Sequence, residues 1–258
     1  EIPQMDCGML ISKEEHKGPL EYTSLDKFSY TQAQKRQKLG IDSFYSDSQG
    51  KSVQIIPREK LIEEANSEMG CGAYANVYEM EYGFQAVAVK KPENLVSSLK
   101  KKSVKNLEKI VWIFEQEASI MFELKHENIL WLIGVVNDSK TDFWIVTEYC
   151  NHGSLTHCLD LFKKDVLTLL KIAIDIAKGL EFIHSKDYIH FDLKPDNILV
   201  TQLHKDMPIA KIGDFGCAKK MPVEAMGKSP GTKVYMAPEL AEDSHKDKKP
   251  THKRLLDQ

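Results

Sequence analysis

The stretch YIHFDLKPDNIL, residues 188–199, carries the strongest signal in this 258-residue chain. It places an acid, a cation and an amide at Asp192, Lys194 and Asn197, between apolar residues. Two other short motifs accompany it, VAVK at residues 87–90 and KIGDFG at residues 211–216. The polar residues of these three motifs mark the candidate functional site.

The hydrophobic pattern changes along the chain from short strands to long helices. The runs VQIIP, NVYEMEY and FQAVAVK are β-prone and separated by turn-forming residues, which predicts successive antiparallel strands. Residues 106–124 repeat apolar side chains every three or four positions, which predicts a helix. ILWLIGVV and FWIVTEYC predict two more strands, and residues 166–185 predict a second long helix. A sheet-rich part followed by a helix-rich part indicates two lobes.

The 188–199 stretch resembles the catalytic loop HRDLKxxN of the eukaryotic protein kinases over its whole length, and KIGDFG resembles the DFG motif of that family. The resemblance implies an α+β, bilobal protein-kinase-like fold, with an antiparallel five-stranded sheet and one helix in the N-lobe and a truncated helical C-lobe. It implies that Asp192 accepts or orients the proton of a substrate hydroxyl, and that Lys194 neutralises charge on the γ-phosphoryl group. By the same resemblance, Asn197 and Asp214 would bind Mg²⁺. Lysine two positions after the aspartate is the serine/threonine pattern, so we expect transfer from ATP to protein Ser or Thr.

Lys90 of VAVK stands where a kinase keeps the lysine that pairs with the α- and β-phosphates of ATP. Because a single buried ammonium is costly, we expect a carboxylate from the helix at residues 106–124 to face it. Glu117 is the best placed, with Glu115 and Glu123 as alternatives. For any one of them, a solvent-exposed helix glutamate is the ordinary interpretation.

Other residues resemble those that hold ATP in the family. Residues 70–77 resemble the glycine-rich loop, where glycines let backbone N–H groups approach a phosphate, although ordinary turn glycines are the alternative. Residues 143–150 resemble the strand and hinge that bind adenine. In that resemblance a threonine lies at the entrance to the back pocket, and backbone groups of the hinge hydrogen-bond the adenine edge. The predicted nucleotide-binding residues are Gly70, Gly72, Val77, Ala88, Lys90, Glu117, Thr147, Glu148, Cys150 and Leu199.

Three positions either differ from the usual kinase motifs or indicate which subgroup of kinases the chain resembles. Phe191 replaces the arginine that clamps a phosphorylated activation loop, so we hypothesise that phosphorylation does not switch on activity through this residue. Ala75 replaces a third glycine, which should stiffen the loop. The HFDLKP loop and Cys217 resemble the Mos kinases, whereas HENIL and GVV resemble the tyrosine-kinase-like serine/threonine kinases.

The segment GTKVYMAPE, residues 231–239, resembles the kinase segment that positions a peptide hydroxyl. In that segment Thr232 is expected to bridge Asp192 and Lys194, which favours Ser/Thr acceptors. We expect His190 to be a packed histidine that holds the loop rather than a catalytic group.

Composition narrows the functional classes. The 35 basic and 38 acidic side chains give a net charge of -3, which offers no overall field for nucleic acid or an anionic membrane. The five cysteines form no CxxC pair and no zinc-ligand spacing, which predicts a reducing, cytoplasmic location. We expect no membrane span and no signal peptide, because the chain has neither a run of about 20 apolar residues nor a basic-then-apolar amino end.

The resemblance covers residues 54–240, which we predict to be a kinase domain with an incomplete C-lobe. Residues 1–53 are predicted to be a flexible extension, and the charged residues 241–258 a disordered tail. We expect the apolar underside of the second helix to face water, which indicates either a partner that covers the incomplete C-lobe or a liability. Three interpretations stay open: a fragment of a catalytic Ser/Thr kinase, a non-catalytic ATP-binding interaction module, and a truncated regulatory isoform that does not fold alone.

Overall fold

The sheet of the first lobe contains five strands, and all its neighbouring strands are antiparallel. They are β1 (Ile62–Cys71), β2 (Ala75–Tyr82), β3 (Gln85–Pro92), β4 (Leu132–Ser139) and β5 (Asp142–Glu148), in the order β1-β2-β3-β5-β4. Helix α1, Val104–Glu123, contacts this sheet and buries a stripe of Val111, Phe114, Ala118 and Met121. Since those positions recur every three or four residues, the periodicity of residues 106–124 does form one helix face. Within the part of the chain that the structure describes, the sheet and the one helix packed on it confirm the fold predicted for the N-lobe.

The structure is a computed structural model that describes residues 52–71, 75–92, 104–139, 142–163, 165–202, 207–221 and 231–238. All of these belong to one compact unit, Asp42–Gln258. Nearly all of the predicted extension, Gly72 and the whole predicted tail lie outside the described residues.

The prediction that VQIIP, residues 53–57, forms an antiparallel strand was wrong. Ile55 makes an isolated parallel bridge to Val135, with hydrogen bonds from Ile56 N to Val135 O at 2.8 Å and from Val135 N to Gln54 O at 2.9 Å. Pro57 has no N–H to continue a ladder, and a 3₁₀ turn at Arg58–Lys60 redirects the chain. The first strand of the sheet is instead β1, whose polar sequence IEEANSEMGC did not predict a strand.

The second lobe begins with α2 (Leu155–Phe162), which was not predicted, and α3 (Val166–Ser185), which has the predicted bounds. Asp165 caps α3, because its Oδ1 accepts from the amides of Leu167 and Thr168 at 3.1 and 3.2 Å. One face of α3 is buried, and the other exposes apolar side chains, as expected: Val166, Leu167, Leu170 and Ile174. A partner for that face stays a prediction. None of the helices in the described ranges could cross a membrane.

Two short antiparallel ladders position the polar motifs. β6 (Tyr188–Ile189) pairs with β9 (Lys219–Lys220), and β7 (Ile198–Thr201) pairs with β8 (Ile209–Ile212). Residues 190–197 and 213–218 therefore run side by side between the ladders, held by a bond from Gly213 N to Asn197 O at 2.8 Å. Ala118 of α1, Ile172 of α3 and Phe215 share one buried apolar cluster, so both lobes pack beneath this pair of loops.

Candidate active site

Lys90 on β3 meets two carboxylates from different parts of the chain. Its Nζ lies 2.7 and 2.9 Å from the two carboxylate oxygens of Glu117 on α1, and 3.1 Å from Oδ1 of Asp214. Of the three helix glutamates considered, the structure brings Glu117 to Lys90. Glu123 instead accepts hydrogen bonds from Tyr188 and Lys220, at 3.0 and 3.3 Å.

The charges of Lys90 and Asp214 stabilise each other, whereas burial and the charge of Asp214 raise the pKa of Glu117 above its ordinary value. Burial of the Lys90 ammonium disfavours its charge, but Glu117 and Asp214 outweigh that effect and raise its pKa above the ordinary value. The charge of Lys90 lowers the pKa of Asp214, against the opposing effect of burial. Lys90 and Asp214 are therefore both ionised at neutral pH.

Thr232 bridges Asp192 and Lys194, as predicted. Its amide and its Oγ1 both donate to Asp192 Oδ1 at 2.7 Å, and its Oγ1 accepts from Lys194 Nζ at 2.8 Å. Lys194 Nζ also lies 3.0 Å from Asp192 Oδ2. Burial alone would raise the pKa of Asp192, but the hydrogen bonds from Thr232 and Lys194 outweigh it and lower that pKa. The carboxylate is consequently held ionised, with each oxygen oriented by a defined donor.

Asn197 is oriented by the same aspartate. Its Nδ2 donates to the backbone O and to Oδ2 of Asp192 at 2.7 and 3.1 Å, which leaves its Oδ1 as the side-chain atom suited to a cation. Asp214, which follows the Gly213 bonded to Asn197, has a left-handed backbone with φ 57° and a side chain 47% exposed.

These oxygens suit Mg²⁺, which prefers carboxylate and amide oxygen ligands. Among the described residues there is no group of three His, Cys, Asp or Glu that could hold a metal ion by itself.

His190 is packed, as predicted. It is fully buried, its Nε2 lies 3.0 Å from Gly213 O, and its Nδ1 accepts from Asp192 N at 3.3 Å. Because Nδ1 accepts, Nε2 is the protonated nitrogen and donates to Gly213. The ring also packs edge-on against Phe215 at 5.2 Å. His190 therefore ties the Asp192 loop to the Asp214 loop.

The predicted nucleotide-binding residues are distributed over both lobes. Ala88 lies opposite Thr147 in the β3–β5 pair, and Val77 lies opposite Lys90 in the β2–β3 pair. Leu199 comes from β7 in the second lobe and forms a bridge with Ser154. Gly70 lies near the end of β1, opposite Val77 of β2, and Gly72 lies outside the described residues.

The hinge residues are tightly bonded. The buried Thr147 Oγ1 donates to Glu148 O at 3.2 Å, and Glu148 N donates to Trp131 O at 3.0 Å. Cys150 O accepts from Gly153 N at 3.0 Å. Burial raises the pKa of the Cys150 thiol to about 12, so it is neutral and acts as an apolar group.

The sequence did not indicate one ion pair behind the hinge. Lys211 Nζ lies 3.0 Å from Glu148 Oε1, and that oxygen also accepts from Trp131 N at 2.8 Å. Lys211 belongs to the KIGDFG motif, but no local pattern points to a partner on β5. Only the fold brings the two residues together.

Comparisons with known proteins agree with this geometry. Residues 64–252 match the family model described as protein kinase domain. The mitosis inhibitor protein kinase SWE1 of Candida albicans is 34% identical over 221 residues, which cover 79% of this chain and 18% of that protein. The serine/threonine-protein kinase STY46 of Arabidopsis thaliana is 35% identical over 189 residues, covering 70% of this chain and 30% of that protein.

A tyrosine kinase is also similar. The tyrosine-protein kinase Abl of Drosophila melanogaster is 36% identical over 163 residues, covering 60% of this chain and 9% of that protein. The chain thus spans at most 30% of the length of these three relatives.

Proposed function

The chain belongs to the protein kinase family, and on that premise we propose that it transfers the γ-phosphoryl group of Mg·ATP to serine or threonine hydroxyls of proteins. The observation that carries this proposal is the Asp192–Thr232–Lys194 bridge, in which a carboxylate and an ammonium are aligned by one threonine hydroxyl. Similarity to a serine/threonine-protein kinase supports serine or threonine as the acceptor residue. The similarity to Abl shows that sequence identity alone does not decide the acceptor type.

Asp192 acts on the acceptor. Its lowered pKa keeps it ionised, so it accepts a hydrogen bond from the substrate hydroxyl and orients that oxygen. As the oxygen bonds to the γ-phosphorus, the bond from phosphorus to the β–γ bridging oxygen breaks, and ADP leaves with that electron pair. The hydroxyl proton passes to Asp192, and such a base contributes ~10²–10⁴-fold.

The two lysines act on phosphate charge. Lys194, held by Thr232 at 2.8 Å, neutralises charge on the γ-phosphoryl oxygens. Lys90, held by Glu117, pairs with the α- and β-phosphates. Asn197 Oδ1 and the Asp214 carboxylate would hold Mg²⁺, which when bound screens the charge of the β- and γ-phosphates.

The remaining predicted residues bind the rest of the nucleotide in this proposal. The backbones of Gly70 and Gly72 approach the phosphates, and those of Glu148 and Cys150 hydrogen-bond the adenine edge. The apolar walls come from Val77, Ala88 and Leu199, with Thr147 at the back. We further propose a role in cytoplasmic signalling, because Cys150, Cys158 and Cys217 are free thiols in the described part of the chain, a usage typical of reducing compartments.

Phe191 favours a second candidate function, an ATP-binding module without turnover, since it removes the arginine usual in this loop. Phosphate transfer from Mg·ATP to a generic protein substrate, with identification of the phosphorylated residue type, separates the two. Asp192→Asn should lower the rate at least about 10²-fold. The matched control is Asp196→Asn, which alters an exposed aspartate in the same loop and should leave the rate within about twofold.

The possible outcomes of this experiment point to different functions. Transfer to Ser or Thr that depends on Asp192 supports the kinase proposal. Binding of ATP without any transfer would replace it with the non-catalytic module, and transfer to Tyr would overturn the acceptor class.

A further inference from the structure

Phe191 has an unusual backbone for its residue type. It adopts φ 66°, in the left-handed region that is unfavourable for residues with a Cβ, and yet its side chain is only 6% exposed. The surrounding contacts must therefore hold it in this conformation.

An apolar cluster surrounds the Phe191 side chain. Phe191 and Ile189 form a buried pair, against which Cys217 and Met221 pack from the segment that follows Asp214. Met236 and Ala237 pack against the same pair from the segment that contains Thr232. Apolar side chains from residues 217–221 and from residues 236–237 therefore meet at the cluster that Phe191 forms with Ile189.

The backbone of Phe191 makes a second contact with that region. Gly231 has φ 116°, and a Cβ at that position would lie 2.3 Å from Phe191 O. The chain therefore enters the 231–237 segment directly against the Phe191 carbonyl, where only glycine fits. Thr232 follows at once and donates to Asp192. The segment therefore lies against the Phe191 carbonyl before Thr232, at Gly231, and against the cluster of Phe191 and Ile189 after it, at Met236 and Ala237.

We propose that Phe191 is a positioning residue that docks the 231–237 segment by apolar packing and thereby keeps Thr232 on Asp192. The inference rests on the proposed function and adds how the acceptor side of that site is held together. Since the contacts are apolar, docking needs no phosphate group and tolerates aliphatic replacements better than truncation or charge.

The test compares two phenylalanines that share a backbone conformation. Phe84 has φ 65°, like Phe191, but is 97% exposed, so Phe84→Ala is a matched control for the backbone effect of the substitution. The variants are Phe191→Ala, Phe191→Leu as the conservative rescue, and Phe84→Ala, all in the whole chain. The measurements are kcat, the KM for a peptide substrate, the KM for ATP, and amide hydrogen exchange of residues 232–237.

Phe191→Ala should lower kcat/KM for the peptide by at least about tenfold, partly through a higher peptide KM, while the KM for ATP changes less than about twofold. A variant that merely contained less folded protein would lower the apparent kcat without changing either KM. Phe191→Leu should recover most of the loss, and Phe84→Ala should match the parent protein. In the hydrogen-exchange measurement, the amides of residues 232–237 should lose protection by about tenfold in Phe191→Ala, while the protection of β2 and β3 stays unchanged.

The inference is overturned if Phe191→Ala behaves like Phe84→Ala in both peptide kinetics and exchange. A failure of the proposed function looks different, because the parent protein itself would then transfer no phosphate. In that case amide hydrogen exchange alone tests the docking role of Phe191. Unchanged protection at residues 232–237 in Phe191→Ala overturns that role, and a selective loss of protection there supports it.

Discussion

Lys211 donates to Glu148 across 3.0 Å and so joins the strand leading to Asp214 with the hinge end of β5. Glu148 Oε1 also accepts from Trp131 N at 2.8 Å, and Lys211 donates to Glu127 O at 2.9 Å. The two paired side chains are only 12% and 23% exposed, so water screens this pair less than a surface pair. The interaction therefore stabilises the position of the hinge relative to β8.

Lys211→Met should lower the free energy of unfolding by about 1–3 kcal/mol, because it leaves a largely buried carboxylate without its cation. It should also raise the KM for ATP, since the backbone of Glu148 is proposed to bind adenine. Urea denaturation and steady-state kinetics measure the two effects. The control is Lys178→Met, since Lys178 is 51% exposed and 4.0 Å from Glu127, and we expect a change within about 0.5 kcal/mol. Equal losses in the two variants would contradict a structural role for the Lys211 pair.

Glu117→Gln should lower kcat/KM by at least about tenfold with little change in fold, because glutamine fills the same space without the charge that holds Lys90. Lys90 would then be paired with Asp214 alone, which is the proposed Mg²⁺ ligand. Titrating the rate with Mg²⁺ should therefore show a higher requirement in the variant. Glu181→Gln changes an exposed helix glutamate and serves as the control. An unchanged rate and Mg²⁺ requirement in Glu117→Gln would show that the ion pair does not serve transfer.

The pH dependence of transfer follows from Asp192. Its pKa in the folded chain lies below the ordinary value of 3.8, so its stabilising contribution is complete above that value and is lost as the pH falls through the folded pKa. The kcat/KM for the protein substrate should accordingly show no acid limb from this group above about pH 5. Thr232→Val removes a hydrogen-bond donor to the carboxylate, so the pKa of Asp192 should rise and an acid limb should move upward. A parent profile that already falls between about pH 7 and 5 would argue against Asp192 as the base.

The parts of the fold that could be predicted are those whose signal is local. Helix α3 has its predicted bounds because an apolar period runs through residues 166–185, and Asp165 caps it. Strand β1 was missed because it lies at the sheet edge and pairs only with β2, so its polar sequence carries no buried pattern. Of the contacts between distant motifs, one could be predicted from the sequence and one could not. The Thr232 bridge followed from the family resemblance, whereas the Lys211 pair depends on how β8 is placed behind the hinge.

Phe84 occupies the tight turn between β2 and β3, where Gly83 and Phe84 have φ 57° and 65° and Tyr82 pairs with Gln85. Positive φ at both central residues is typical of a type I′ turn, in which the second position favours glycine. Because Phe84 is 97% exposed, its side chain offers little burial against the cost of a left-handed backbone. Phe84→Gly should therefore raise the free energy of unfolding by about 0.5–1 kcal/mol, with the rate of phosphate transfer unchanged. Phe84→Ala keeps the Cβ and should give no comparable gain, so a urea midpoint that rises equally in both variants would trace the effect to removal of the exposed ring instead of the backbone.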